Sequence, residues 1–324
     1  MPNKILCVHR GGDDDMSMYW TTAEVQSNGD LTWSGDERFM GGNAKCDEGV
    51  ALAVFDNRIY CAYREAVTDH LMIAYWDNGA RIWRPCGAIT TAAICTPGLY
   101  AWDNKLVCVY QGDSGNEMYS ASSADPLSGP STWSFRKFDW HSKMTAGVSL
   151  TEYGGKLYCF HRGQPDTNPP TEEGQGCWWS ERSGDDWAQD RDIPGVSSAS
   201  GPAGIAFEPS PGVGTQLFIV RRGKKQFSFN DTDIYTNRFV RDDDYYYGLK
   251  PVSNEYRSGN RSYVGPSLVA CGGFLYCIHP DTDDGKLVWS RWLTDNTTWR
   301  QATYFGGHRS AYEVGVLSVG GLMD

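Results

Sequence analysis

At 324 residues, with 13 Trp, 18 Tyr and 37 Gly, the chain could hold two ordinary domains, yet it lacks the periodic Ala-, Leu-, Glu- and Lys-rich stretches of a helical protein and reads as all-β. A formal charge of −11 at pH 7 opposes the counterion-releasing contacts that a nucleic-acid backbone requires. No run reaches the roughly 18 apolar residues of a membrane-spanning helix, and the N-terminus goes into a strand (Ile5 to His9) without a signal-like apolar segment, so the chain as given is expected to be soluble, without membrane insertion.

The first strand, ILCVHR at 5–10, recurs as IYCAYR (59–64), LVCVYQ (106–111), LYCFHR (157–162), LFIVRR (217–222) and LYCIHP (275–280). A second recurring segment precedes the last five of these: GVALAVF from Gly49, PGLYAW from Pro97, GVSLTEY from Gly147, GPAGIAF from Gly201 and GPSLVAC from Gly265. Its sixth copy, GVLSVGG from Gly315, comes after everything else. Within Gly49–Trp83 the apolar runs Val50–Phe55, Ile59–Tyr63 and Leu71–Trp76 are broken by Asp56-Asn57 and Asn78-Gly79, the pattern of antiparallel hairpins. A third strand contributes MYW (18–20), MYS (118–120), CWWS (177–180) and VWS (288–290), and an outer strand is marked by Trp33, Trp83, Trp133, Trp187 and Trp299, which read as packing between neighbouring units. The fifth unit is degenerate, its outer strand placed near RDDDYYYG (241–248), where Asp242 to Asp244 read as a solvated loop rather than a cation site.

Because the chain opens on a second strand with no first strand and closes on a first strand with nothing after it, the two ends complete one unit. A split repeat of this kind closes a ring and removes its exposed edges. The expectation is a single domain, 1–324, forming a six-bladed β-propeller of four-stranded blades: 315–324 with 1–39, then 46–86, 95–139, 145–193, 200–252 and 263–304.

Cys7, Cys61, Cys108, Cys159 and Cys277 fall at one repeat position, that of a buried small apolar side chain. Cys46, Cys86, Cys95, Cys177 and Cys271 lie off the pattern and leave room for one or two disulfides, while the lack of a CxxC pair argues against zinc.

Two loop sets emerge on one face of such a ring. At the ends of the second strands stand His9-Arg10, Tyr63-Arg64, Tyr110-Gln111, His161-Arg162, Arg221-Arg222 and His279-Pro280; entering the first strands are Asp47-Glu48, His141 to Thr145, Arg261 to Tyr263 and His308 to Glu313. Forked guanidinium donors beside aromatic faces suit sugar hydroxyls and C–H surfaces. The candidate ligand-binding residues are therefore Arg10, Arg64, Arg162, Arg222, His9, His161, Tyr63 and Tyr312, with Trp20, Trp178 and Trp289 as candidate walls of grooves between blades. His9, His161 and His279 belong to different blades, so a metal shared among them is not expected.

The pattern GPxLxxxxGxLYCxHRG, seen nearly whole at Gly147–Gly163, followed by an aromatic strand and a hairpin ending in Trp, resembles the repeats of fungal and bacterial β-propeller lectins, including the six-bladed fucose-binding and tectonin-like groups. The resemblance covers the chain at the level of architecture. It implies several sugar pockets without metal or other cofactor, glycans or glycoconjugates as partners, no catalysis, and avidity from many weak sites on one ring. Sugar identity does not follow from it. The competing class is a sialidase-like glycoside hydrolase in which Arg10, Arg64, Arg162 and Arg222 grip a carboxylate and Glu48, Glu65 or Glu313 serves as acid or nucleophile, although the SxDxGxxW boxes of sialidase blades are absent. A protein-binding scaffold or toxin module is the third reading.

Overall fold

The computed structural model describes residues 3–138, 142–163, 176–226, 229–245, 248–293 and 298–323. His141 and the second and third tyrosines of Arg241–Gly248 lie outside them. Six antiparallel sheets of four principal strands form a six-bladed β-propeller, as the repeat predicts. From the axis outward, blade 1 runs Gly315–Ser318, Lys4–Arg10, Met18–Val25 and Leu31–Trp33, and blade 2 runs Cys46–Phe55, Arg58–Glu65, Leu71–Asp77 and Ile82–Thr90. Blade 3 holds Gly98–Trp102, Lys105–Gln111, Met118–Ser123 and Ser134–Lys137; blade 4 holds Ser149–Tyr153, Lys156–Arg162, Gly176–Ser183 and Asp186–Trp187. Blade 5 is Ala203–Phe207, Gln216–Arg222, Asp233–Arg241 and Leu249–Pro251; blade 6 is Ser267–Cys271, Phe274–Pro280, Lys286–Leu293 and Thr298–Trp299.

The ring closes where Gly315–Ser318 pairs antiparallel with Lys4–Arg10, Val316 opposite Cys7. Tight turns join the inner strands: Asp56-Asn57 and Asp103-Asn104 both have positive φ at each residue (47 and 54, 48 and 55 degrees), as do Gly154-Gly155 and Gly272-Gly273. Such turns match the twist of the strands they join. In blades 1, 4, 5 and 6 the third strand also pairs with an added outer strand, namely Glu37–Arg38, Arg191–Ser197, Tyr256–Arg261 and Thr303–Arg309.

The core is divided into six apolar clusters, each filling the space between two neighbouring blades, the sixth joining blade 6 to blade 1. The five repeat-position cysteines sit at 0 to 1% exposure within these clusters. Outer-strand tryptophans pack across blade boundaries, Trp33 stacking on Phe305 at 4.0 Å and Trp187 on Phe138 at 4.8 Å.

Two expectations are corrected. The room left for a disulfide is not used: all ten cysteines are free, and burial pushes the off-pattern thiols of Cys46, Cys86, Cys95 and Cys177 up to about 12. In blade 5 the outer strand is Leu249–Pro251 rather than the acidic stretch before it, because Asp242–Tyr245 turns, the Tyr245 N–H donating to the Asp242 carbonyl at 3.0 Å, and Gly248 stands at φ 74 degrees. There Asp243 accepts from Arg241 Nε at 2.8 Å and Asp242 from Lys250 Nζ at 3.2 Å, so basic side chains answer these carboxylates. No helix among the described residues is long and apolar enough to cross a membrane.

Candidate active site at the propeller hub

Strand pairing defines the innermost positions. Opposite the repeat cysteine (Ile219 in blade 5) stand Leu52, Leu99, Leu150, Gly204, Leu268 and Val316. Three residues upstream of each lie Gly49, Thr96, Gly147, Gly201, Gly265 and Glu313, one per blade, where the strands converge on the axis. Glycine is needed here by proximity: a Cβ on Gly201 would lie 2.4 Å from the Gly147 carbonyl oxygen, one on Gly265 2.4 Å from that of Gly201, and one on Gly49 2.6 Å from that of Glu313. Backbone cannot yield to such contacts as a side chain can.

Thr96 and Glu313 are the two hub residues with side chains, and these meet. Glu313 Oε1 accepts the Gly265 N–H at 3.0 Å, its Oε2 accepts the Thr96 hydroxyl at 3.2 Å, and Thr96 Oγ1 accepts the Gly49 N–H at 3.0 Å. One carboxylate from blade 1 thereby touches blades 6 and 3, and blade 2 through Thr96. Below this plug the first strands enclose a channel cavity of about 640 Å³ with a largely aliphatic wall including Val50, Leu52, Leu99 and Leu150.

Glu48 sits one residue before the hub glycine of blade 2, half-buried. Burial, then the neighbouring charge of Glu313 and that of Asp47, push its carboxyl up to about 8, against the pull of Arg64 and Arg10. Burial also raises Glu313, opposed by its hydrogen bonds to Gly265 and Thr96 and by Arg222. At neutral pH Glu48 therefore keeps its proton, whereas Glu313 has donors arranged for its anion.

Arginines occupy four of six equivalent strand ends around this pair. Arg64 is held by Asp47 and by Asp69 at 2.6 Å. Arg10 donates to the Asp13 and Asp15 carbonyls at 3.0 and 3.3 Å and lies over the Tyr312 ring, 5.0 Å from its centroid. Arg222 donates to the Tyr263 carbonyl at 2.6 Å. Arg162 gives one N–H to the Ala199 carbonyl at 3.0 Å, has no carboxylate partner among the described residues, and is made less basic first by burial and also by Arg222. In blade 3 Gln111 takes the equivalent place, accepting the Cys95 thiol and donating to Asn116 at 2.6 Å.

The other candidates from sequence fall elsewhere. Glu65 does not join the acid pair; it accepts the Thr68 hydroxyl in the turn after its strand. His9 contacts Asp36 at 3.0 Å and His161 contacts Asp190 at 3.1 Å. Tyr63 is buried against Phe39. Trp289 is buried against Tyr276, Trp20 sets its edge to Trp76 at 5.0 Å, and half-buried Trp178 lies beneath Gly163, where a Cβ would be 2.5 Å from its ring. Thr96 and Asp36 were not singled out in the sequence. Aligning the repeats on the leucine opposite the cysteine (Leu99 in blade 3) rather than on Pro97 brings Thr96 into the glycine position, whereas Glu313 reaches it only through the strand register, Val316 standing where other blades have leucine. Asp36 follows Trp33 by three residues as Asp190 follows Trp187, a two-copy signal matching the His9 and His161 contacts.

No family model and no curated protein matches the sequence. Among solved structures the chain is similar to an exo-β-1,3-galactanase from Phanerochaete chrysosporium with β-1,3-galactotriose (TM-score 0.53, 10% identity, 83% of this chain and 66% of that one). It is also similar to TolB from Acinetobacter baumannii (TM-score 0.53, 10% identity, 97% of this chain and 66% of that one). A further match is a β-fructofuranosidase from Bombyx mori (TM-score 0.45, 14% identity, 76% of this chain), of which the chain spans 60%. At these identities the likeness shows the propeller fold alone. The expectation of a non-catalytic lectin is nonetheless corrected. The structures named here with a TM-score of 0.53 are an exo-β-1,3-galactanase and TolB rather than lectins. Likewise, carboxyl groups from two blades come near the axis, where several sugar pockets around the ring were expected.

Proposed function

We propose that this protein is a glycoside hydrolase whose chemistry takes place at the mouth of the channel, with Glu48 as proton donor and Glu313 as the ionised partner, on glycans that carry a carboxylate. The supporting observation is that two carboxyl groups from different blades lie near enough for the charge of Glu313 to help raise Glu48 to about 8, while Glu313, itself raised by burial, accepts the Gly265 N–H and the Thr96 hydroxyl. A carboxylic acid beside a hydrogen-bonded carboxylate is what cleavage of a glycosidic bond uses. Glu48 gives its proton to the departing glycosidic oxygen as the C–O bond breaks. Positive charge growing on the sugar ring is stabilised by the Glu313 anion. Water then adds to the anomeric carbon and returns a proton to Glu48, leaving both groups as they began. Arg162, a half-buried cation with no carboxylate partner among the described residues, favours an anionic substrate over a neutral one.

The test is release of para-nitrophenol from a panel of neutral, uronic and sialic aryl glycosides. Turnover of the acidic members is expected, and Glu48→Gln should lose cleavage of the matching alkyl glycosides, whose departing oxygen needs the proton, while sparing the aryl ones. Silence across the whole panel removes the proposal.

A further inference from the structure

The seam between the last and first blades holds a group of side chains that the hub does not use. His9 is near the end of Lys4–Arg10, Asp36 directly precedes Glu37–Arg38, and His308 belongs to Thr303–Arg309 of blade 6. His9 Nε2 lies 3.0 Å from Asp36 Oδ1, and His308 Nδ1 lies against the same oxygen. The three donor atoms all fall within 4.8 Å of one another. Both imidazoles are buried, at 1 and 7% exposure, whereas the Asp36 side chain keeps 26%, leaving an approach from solvent. Tyr19 stacks on His9 at 5.8 Å and Phe305 covers His308 at 5.4 Å, so aromatic walls fix both rings.

The tautomer of His9 decides what this group can do. Its Nδ1 is 3.0 Å from the Arg10 carbonyl oxygen, which can only accept, so Nδ1 carries the proton. With Nδ1 so engaged, Nε2 and the Asp36 oxygen face one another as two donor atoms that one cation can share. His308 Nδ1 is also buried and makes no hydrogen bond of normal geometry among the described residues, although it faces the same carboxylate. The repeat supplies internal comparisons. His279, equivalent to His9, donates from Nδ1 to the Pro280 carbonyl at 3.1 Å but has no hydrogen-bond partner for Nε2 among the described residues. His161 contacts one aspartate, Asp190. Blade 1 alone adds a second imidazole, brought from blade 6.

We propose that His9, Asp36 and His308 form a binding site for a divalent transition-metal ion. Two imidazole nitrogens and one carboxylate oxygen leave positions open for water, a donor set suited to zinc or iron(II). The Arg10 carbonyl serves as the outer partner that orients His9. A bound ion would tie the outer strand of blade 6 to the second strand and outer segment of blade 1, the blade in which the two ends of the chain are paired. The site shares no side chain with the acid pair, so it stands or falls apart from the hydrolase reading.

The experiment is titration of the full, chelator-treated chain with cobalt(II) followed by absorption, and with zinc(II) against a chromophoric chelator. One equivalent is expected, with a ligand-field spectrum of nitrogen and oxygen coordination and a zinc-dependent rise in Tm. Asp36→Asn and His308→Gln should each weaken binding about tenfold or more, while His161→Gln and Glu48→Gln bind as the unaltered chain does. Should a variant fail to fold, the stoichiometry and spectrum of the unaltered chain still decide. No saturable binding, or binding unchanged in both ligand variants, overturns the site.

Discussion

Thr96 and Glu313 come from blades that are not neighbours, yet the Thr96 hydroxyl donates to Glu313 Oε2 at 3.2 Å while accepting the Gly49 N–H at 3.0 Å. A single hydroxyl thus serves two partners at the axis. Thr96→Val keeps the shape and removes both bonds, stranding a buried N–H and part of a carboxylate. The expected cost is about 2 kcal/mol, the range for leaving buried polar groups unsatisfied, read as a lower urea midpoint with unchanged slope.

The hub glycines are set by the same convergence. Gly201→Ala would place a methyl 2.4 Å from the Gly147 carbonyl oxygen, backbone against side chain with no rotamer to relieve it. A loss of about 3 kcal/mol, the upper part of the overpacking range, is expected. Gly35→Ala meets nothing within 4 Å and has no positive φ, so its midpoint should be unchanged to within about 0.5 kcal/mol. A Gly201→Ala protein as stable as the Gly35→Ala one would contradict the crowded hub.

How much of this is legible in the sequence depends on the range of the signal. Strand copies such as ILCVHR and LYCFHR repeat with their turns, and each turn acts on residues next to it, so the blades and the split first blade follow from local pattern. Glu48 and Glu313 are visible as candidates, but their electrostatic coupling is not, because one belongs to blade 2 and the other comes from the far end of the chain. Glu65 was grouped with them for standing beside Arg64; successive strand residues point to opposite faces, which separates neighbours in sequence. Asp36 shares its place, three residues after an outer-strand Trp, with Asp190 of blade 4, so its contact with His9 has a counterpart in His161–Asp190; the approach of His308 from blade 6 has none and comes only from the folded seam.

Glu48 makes stability depend on pH in a sense opposite to an ordinary surface acid. Its folded carboxyl is raised from 4.5 to about 8, so between these values the folded state holds a proton that the unfolded chain has released. Unfolding stability should therefore fall as pH rises from about 4.5 through about 8, with the full contribution present below the unfolded value. Glu48→Gln should flatten this slope in pH-dependent urea melts. The same group predicts that turnover declines as pH rises through about 8, where the acid is lost, and that Glu48→Gln lowers kcat/KM about 100- to 10,000-fold on substrates with poor leaving groups.

Arg162 separates binding from folding. Its guanidinium is desolvated and, among the described residues, meets a carbonyl but no carboxylate. Replacing this half-buried side chain loses one hydrogen bond, to the Ala199 carbonyl, at a cost of about 1 kcal/mol, so Arg162→Met should fold with a Tm within a few degrees of that of the unaltered chain. If this cation receives the carboxylate of the substrate, the same change should raise KM for acidic aryl glycosides about 10- to 100-fold, the worth of a charged hydrogen bond, and leave neutral ones unaffected. Arg64→Met provides the contrast: Arg64 is already paired with Asp47 and Asp69, so removing it leaves two carboxylates unanswered and should lower Tm. Equal KM for acidic substrates in Arg162→Met and the unaltered chain would place the anionic group of the substrate elsewhere on the hub.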